Sequence, residues 1–132
     1  PHARVTTDPL SLDALARAVA DPGAGAIVCF QGTTRDVDSL EYEAYGEMAT
    51  ERIGSILREC VERHGLRAAA AEHRIGYVPL GEPSVIVAVS AAHRSEAFAG
   101  AREAIDRIKA EAPIWKKEIA GGAETWVEGC LP

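Results

Sequence analysis

The sequence is short of cysteine, short of basic charge and without any long hydrophobic run. Its three cysteines, Cys29, Cys60 and Cys130, are far apart and form no Cys-x-x-Cys pair. An odd, scattered set of this kind suggests neither a disulfide framework nor a zinc site. Reduced thiols in a cytoplasmic protein are the simplest reading. The longest apolar runs, such as Ala26 to Phe30, have the length of a strand. A membrane helix needs roughly 18 apolar residues, so no membrane span is expected. Nor does a basic-then-apolar leader open the sequence. Lys and Arg number 14 against 20 Asp and Glu, for a net charge of −6. That balance argues against nucleic acid as a partner, while leaving room for a local cationic pocket. The glycine-rich phosphate loops are missing too: Gly23-Ala24-Gly25 precedes a strand instead of following one, and no GxxxxGK[ST] occurs.

What remains is an ordinary globular composition, 47% apolar and 26% charged over 132 residues. It predicts one domain, 1–132, with a core of its own. Ser11 reads as the N-cap of a helix carrying Leu12, Leu15, Ala16 and Val19. Residues 26–30 read as a buried strand, and Gly32 to Asp36 as a polar loop. Leu40, Tyr42 and Ala44 alternate with Glu41, Glu43 and Tyr45, as in a strand with one wet face. A second helix is predicted over 47–64, with Ala49, Ile53, Ile56, Leu57, Cys60 and Val61 as its stripe and Gly65 as its C-terminal cap. A strand through Ala69, Ala71, His73 and Ile75 follows, then a turn at Pro79, Gly81 and Pro83, then a buried strand at 85–89. A third helix, capped by Ser95, turns Phe98, Ala101, Ile105 and Ile108 inward and stops at Pro113. The segments 114–119 and 124–128 flank Gly121-Gly122 as a hairpin. Strands in adjacent pairs favour an α+β class with a mostly antiparallel sheet.

Chemistry concentrates in a few cations. His93 and Arg94 end a strand just before a helix N-terminus, where free N–H groups and the helix dipole favour an anion such as phosphate. Lys109 stands in the last turn of that helix, where it also complements the dipole. Lys116 and Lys117 point to opposite faces of a strand, so at most one of them shares a pocket with Lys109. An amine beside another cation, or out of water, loses protons more readily and can serve as nucleophile or proton carrier. Arg35 lies in a loop after a strand, a common place for functional residues. Cys29 and Cys60 read as core residues. Glu41 and Glu43 share a strand face but lack a second carboxylate pair, which leaves a glycosidase reading unsupported.

Several segments, in order, resemble the large, catalytic subunit of molybdopterin synthase. They are Phe30-Gln31-Gly32-Thr33-Thr34-Arg35-Asp36, Leu40 to Tyr45 with Met48-Ala49, His73-Arg74-Ile75-Gly76, Ser90-Ala91-Ala92-His93-Arg94, and Lys109 through Pro113-Ile114-Trp115-Lys116-Lys117-Glu118 to Trp126-Val127-Glu128. The likeness covers nearly the whole chain, and five motifs in register are specific. It implies an α/β hammerhead fold and a central homodimer within a heterotetramer. Each end of the dimer would bind a small ubiquitin-like sulfur-carrier subunit with a Gly-Gly tail. Sulfur from the carrier's C-terminal thiocarboxylate would pass to cyclic pyranopterin monophosphate, forming the molybdopterin dithiolene without a metal or other cofactor. The resemblance places the family's catalytic lysines on Lys109 and Lys116, and its substrate-binding positions on Arg35, His93 and Arg94. Two other readings compete. One is a non-catalytic anion-binding or scaffold domain of the same fold, supported by the short Asp36–Ser39 connection and by the absence of a basic residue in Gly129–Pro132. The other is an unrelated cysteine or amine enzyme, which lacks a visible activating histidine for Cys29.

Overall fold

A computed structural model describes residues 1–127. Among them, eight strands and three helices form two four-stranded sheets. The first sheet has the order β1 (His2–Thr6), β4 (Ala68–Arg74), β6 (Pro83–Ala91), β2 (Ala26–Thr33). Its pairings are antiparallel except β1 with β4. The second has the order β5 (Gly76–Pro79), β3 (Ser39–Ala44), β7 (Ile114–Ala120), β8 (Ala123–Trp126), antiparallel throughout. This is the mixed α+β, mostly antiparallel architecture with a C-terminal hairpin that the residue pattern predicts.

Strand β6 is buried on both faces because helices cover both. Val85, Val87, Val89 and Ala91 pack with α2 (Gly46–His64) and α3 (Arg94–Glu111), while Ile86 and Ala88 pack with Leu15 of α1 (Leu12–Ala18) and with its C-cap Val19. The period of two along the strand thus separates two apolar layers. The Ser11 hydroxyl caps α1 by accepting from the Ala14 N–H at 3.2 Å. Gly65, at φ 62°, ends α2 in the left-handed conformation that glycine adopts without a Cβ penalty.

Several local expectations are corrected. Strand β1 precedes α1, in a stretch with too few apolar residues to signal a strand by itself. Strand β2 is an edge strand and only partly buried: α1 is too short to cover it, so Ile27 and Cys29 lie exposed. Cys29 is therefore not a core residue, whereas Cys60 is. Phe98 is 62% exposed because it lies about 100° around the helix from Ala97, at the margin of the stripe formed by Ala97, Ala101, Ala104 and Ile108. Helix α3 begins one residue after its N-cap His93, so Ser95 is inside it. Finally, Gly76, at φ 79°, breaks the strand expected to run through Ile75 and starts β5 in the other sheet. Glu128 and Cys130 lie outside the described residues.

Helices α2 and α3 are also joined by charge. Glu103 accepts from Arg63 Nη1 at 2.6 Å, bonds His64 Nε2 at 2.9 Å and has the buried Cys60 Sγ at 3.6 Å. Desolvation alone would raise its pKa, but the bonds from His64 and Arg63 prevail and hold it at about 2. A depressed carboxyl contributes stability above its ordinary pKa and loses that contribution as pH falls through the folded value. Two outcomes follow. Glu103→Gln should lower stability at pH 7 by about 1–3 kcal/mol, as for a lost charged hydrogen bond, with the gap to wild type closing toward pH 2 in denaturant melts. At Gly25 an added Cβ would stand 2.4 Å from the Ala92 carbonyl oxygen. Gly25→Ala should therefore cost roughly 1–3 kcal/mol through overpacking against backbone, read as a lower melting temperature.

Candidate active site

The site is built where the two sheets meet. Strand β4 turns Ala69, Ala71 and His73 toward the helices, and Gly76 then passes the chain into the second sheet. His73 is buried at this seam, 7% exposed. Its Nδ1 lies 2.7 Å from the Arg74 carbonyl oxygen, and its ring meets Tyr42 edge-on with centroids 4.7 Å apart. Tyr42 on β3 is paired directly with Lys116 on β7, so both side chains share one sheet face. Lys109, from the last turn of α3, is near enough for its charge and that of Lys116 to act on His73.

The two amines influence each other. Lys109 is exposed as a residue, yet desolvation around its ammonium lowers its pKa, and the positive charge of Lys116 lowers it further. Burial raises the pKa of the Tyr42 phenol, a trend its bond with Ser84 opposes. Lys117, next in sequence, faces the other way. It pairs with Glu41 at 3.4 Å and Glu124 at 3.6 Å and lies 5.2 Å from the centre of the Trp126 ring. Desolvation works to discharge it, but Glu124 and Glu41 outweigh that and raise its pKa. Of the adjacent pair, Lys116 is thus the one that joins Lys109.

The other cations are elsewhere in this chain. His93 and Arg94 are exposed at the N-terminal end of α3. Fifteen residues of helix put Arg94 about 22 Å from Lys109 along the axis, so one chain does not gather all four in one cleft. His93 has an 82% exposed side chain, with Glu96 at 3.9 Å. Arg35, 85% exposed, pairs with Asp36 at 2.7 Å. It precedes Ser39, and Ser39 is itself about 10 Å along β3 from Tyr42. Residue patterns did not single out His73 and Tyr42 for a role at this site. The alternation of His73 with Ala69 and Ala71 was visible, but its meeting with Tyr42 and the lysines depends on pairing between distant strands.

Partial burial raises the pKa of the Cys29 thiol, which leaves it poorly ionised as a nucleophile. Among the described residues, no group of three or more His, Cys, Asp or Glu is placed to hold a metal ion, and no helix is long and apolar enough to cross a membrane.

Comparison with known proteins defines the class. A family model described as "MoaE protein" matches residues 5–111. The molybdopterin synthase catalytic subunit of Oryza sativa subsp. indica is 52% identical over 116 residues, covering 83% of this chain and 60% of the rice protein. Molybdopterin synthase catalytic subunit 1 of Mycobacterium tuberculosis is 42% identical over 134 residues, 96% of this chain and 90% of the relative. The crystal structure of molybdopterin synthase from Staphylococcus aureus superposes with a TM-score of 0.91 at 32% identity, covering 96% of each chain. The chain belongs to the MoaE protein family. It spans 60% of the length of the rice relative.

The lysine pairing has a measurable consequence. In amine-selective labelling followed by mass spectrometry, the midpoint for Lys109 should lie below that of an ordinary lysine. In Lys116→Met it should move upward, because a neighbouring positive charge has been removed.

Proposed function

We propose that this chain is the sulfur-transferring catalytic subunit of a molybdopterin synthase. On this reading residues 1–132 act as one domain, in the cytoplasm. The sulfur donor is the thiocarboxylated Gly-Gly tail of a small ubiquitin-like carrier, and the acceptor is cyclic pyranopterin monophosphate. The observation that carries the reading is the Lys109–Lys116 pair, with the proton affinity of Lys109 depressed by burial and by its neighbour. An amine shifted toward neutrality can take up a proton or attack as a nucleophile, which an ordinary surface lysine does poorly. Lys109 is the catalytic amine and Lys116 positions the substrate. The reading assigns no metal or other cofactor.

A phosphate-bearing substrate calls for several cations. Arg35, His93 and Arg94 are the substrate-binding positions, and the length of α3 keeps His93 and Arg94 away from Lys109 within one chain. A homodimer resolves this if one copy supplies the lysines and the other supplies His93 and Arg94. Two carriers on that dimer make the heterotetramer.

The test is reconstitution from purified chain, carrier thiocarboxylate and pterin precursor. Turnover distinguishes a catalytic subunit from an anion-binding scaffold of the same fold. Lys109→Arg keeps the charge but replaces the amine with a guanidinium that stays protonated at working pH. It should lose on the order of a hundredfold in rate, with melting temperature and carrier binding retained. Near-normal turnover would make Lys109 an electrostatic residue only.

A further inference from the structure

His73 packs on Tyr42, the register partner of Lys116, and is within reach of the charges of Lys109 and Lys116, and the reading above gives it no task. A carbonyl oxygen can only accept, so the 2.7 Å contact with the Arg74 oxygen requires the hydrogen to be on Nδ1. In the neutral ring this leaves Nε2 as a pure acceptor on the edge away from that bond. The ring's plane is set by Tyr42, which meets it at 72°. Its strand neighbours opposite are apolar, Val5 on β1 and Val85 on β6. The charged groups that bear on it are Lys109 from α3 and Lys116 from β7, with the Tyr42 phenol from β3 as the remaining titratable neighbour.

Resting on the lysine-pair reading, we infer that His73 is a positioning residue of the same site. It is an uncharged imidazole, locked by the Arg74 carbonyl and the Tyr42 ring, whose Nε2 accepts a hydrogen bond from the lysine that holds the proton. Its neutrality is consistent with its setting: burial lowers its pKa, the Arg74 bond opposes this, and the two lysines lower it again, to about 4. A charged ring here would be a third cation against two amines. A neutral one gives the ammonium form a fixed partner in a place with little water, and so holds the amine in one orientation.

The first arm of the test needs no turnover. In ¹⁵N-histidine NMR of the intact chain at pH 7, His73 should show the Nδ1–H tautomer. In Lys109→Met its titration should move to higher pH, because a repelling charge is gone. An Nε2–H tautomer, or a titration indifferent to Lys109→Met, would overturn the inference. The second arm is kinetic. His73→Phe keeps a ring against Tyr42 but removes both nitrogens. It should lower kcat for sulfur transfer by about tenfold or more while KM for the carrier stays within about twofold, and His73→Gln, which returns an acceptor, should recover part of the loss. A folded His73→Phe protein with kcat within about twofold of wild type would also overturn it. If His73→Phe does not fold, the NMR arm decides. If the wild-type chain shows no sulfur transfer at all, the proposed function fails, and the tautomer and titration results still decide the case of His73.

Discussion

The double burial of β6 is the constraint on which the rest depends. A strand flanked by apolar layers on both faces must satisfy its backbone within the sheet, so β4 and β2 are held against it along its length. Its outward alternation then fixes which face of the sheet receives α2 and α3 and which receives α1. The end of β6 leads directly into α3, and α3 in turn determines how far Lys109 is from His93. Through β4, the same strand also sets the depth of His73. Site geometry is thus inherited from the core.

The parts of this structure legible in the residues are those governed by local periodicity. The stripe of α2, the Gly65 cap, the Ser11 cap and the Gly121-Gly122 hairpin turn all rest on contacts within a few positions. Strand β1 and the Gly76 break were not legible, since β1 is stabilised by parallel pairing with a strand more than sixty positions away, and Gly76 acts by redirecting the chain between sheets. Cys29 and Phe98 show the complementary failure. Both are apolar in type, but Cys29 is exposed because α1 is too short to cover it, and Phe98 because it lies at the margin of the buried stripe of α3.

The candidate site divides in the same way. Opposite faces for Lys116 and Lys117 follow from strand geometry alone, but which lysine meets Lys109 is decided by the pairing of β7 with β3. The separation of His93 and Arg94 from Lys109 could have been read from helix length, since Arg94 and Lys109 belong to one uninterrupted helix that His93 caps. The place of His73 could not, because a histidine in an alternating strand is equally compatible with a purely structural role. Its setting emerges only when three elements from separate parts of the chain converge.

The alternation along β7 also restricts how this chain can change in length. Lys116 and Lys117 are identical side chains in unlike surroundings, one beside a second amine and the other between two carboxylates. An insertion or deletion of a single residue in β7 before them would invert the two faces. It would send the carboxylate-bound lysine inward and turn Lys116 out, away from Lys109. Two-residue changes conserve the facing and shift only the position along the strand. The hairpin therefore behaves as a parity element: its tip can lengthen freely, while the stretch between Pro113 and Lys117 tolerates change only in even steps.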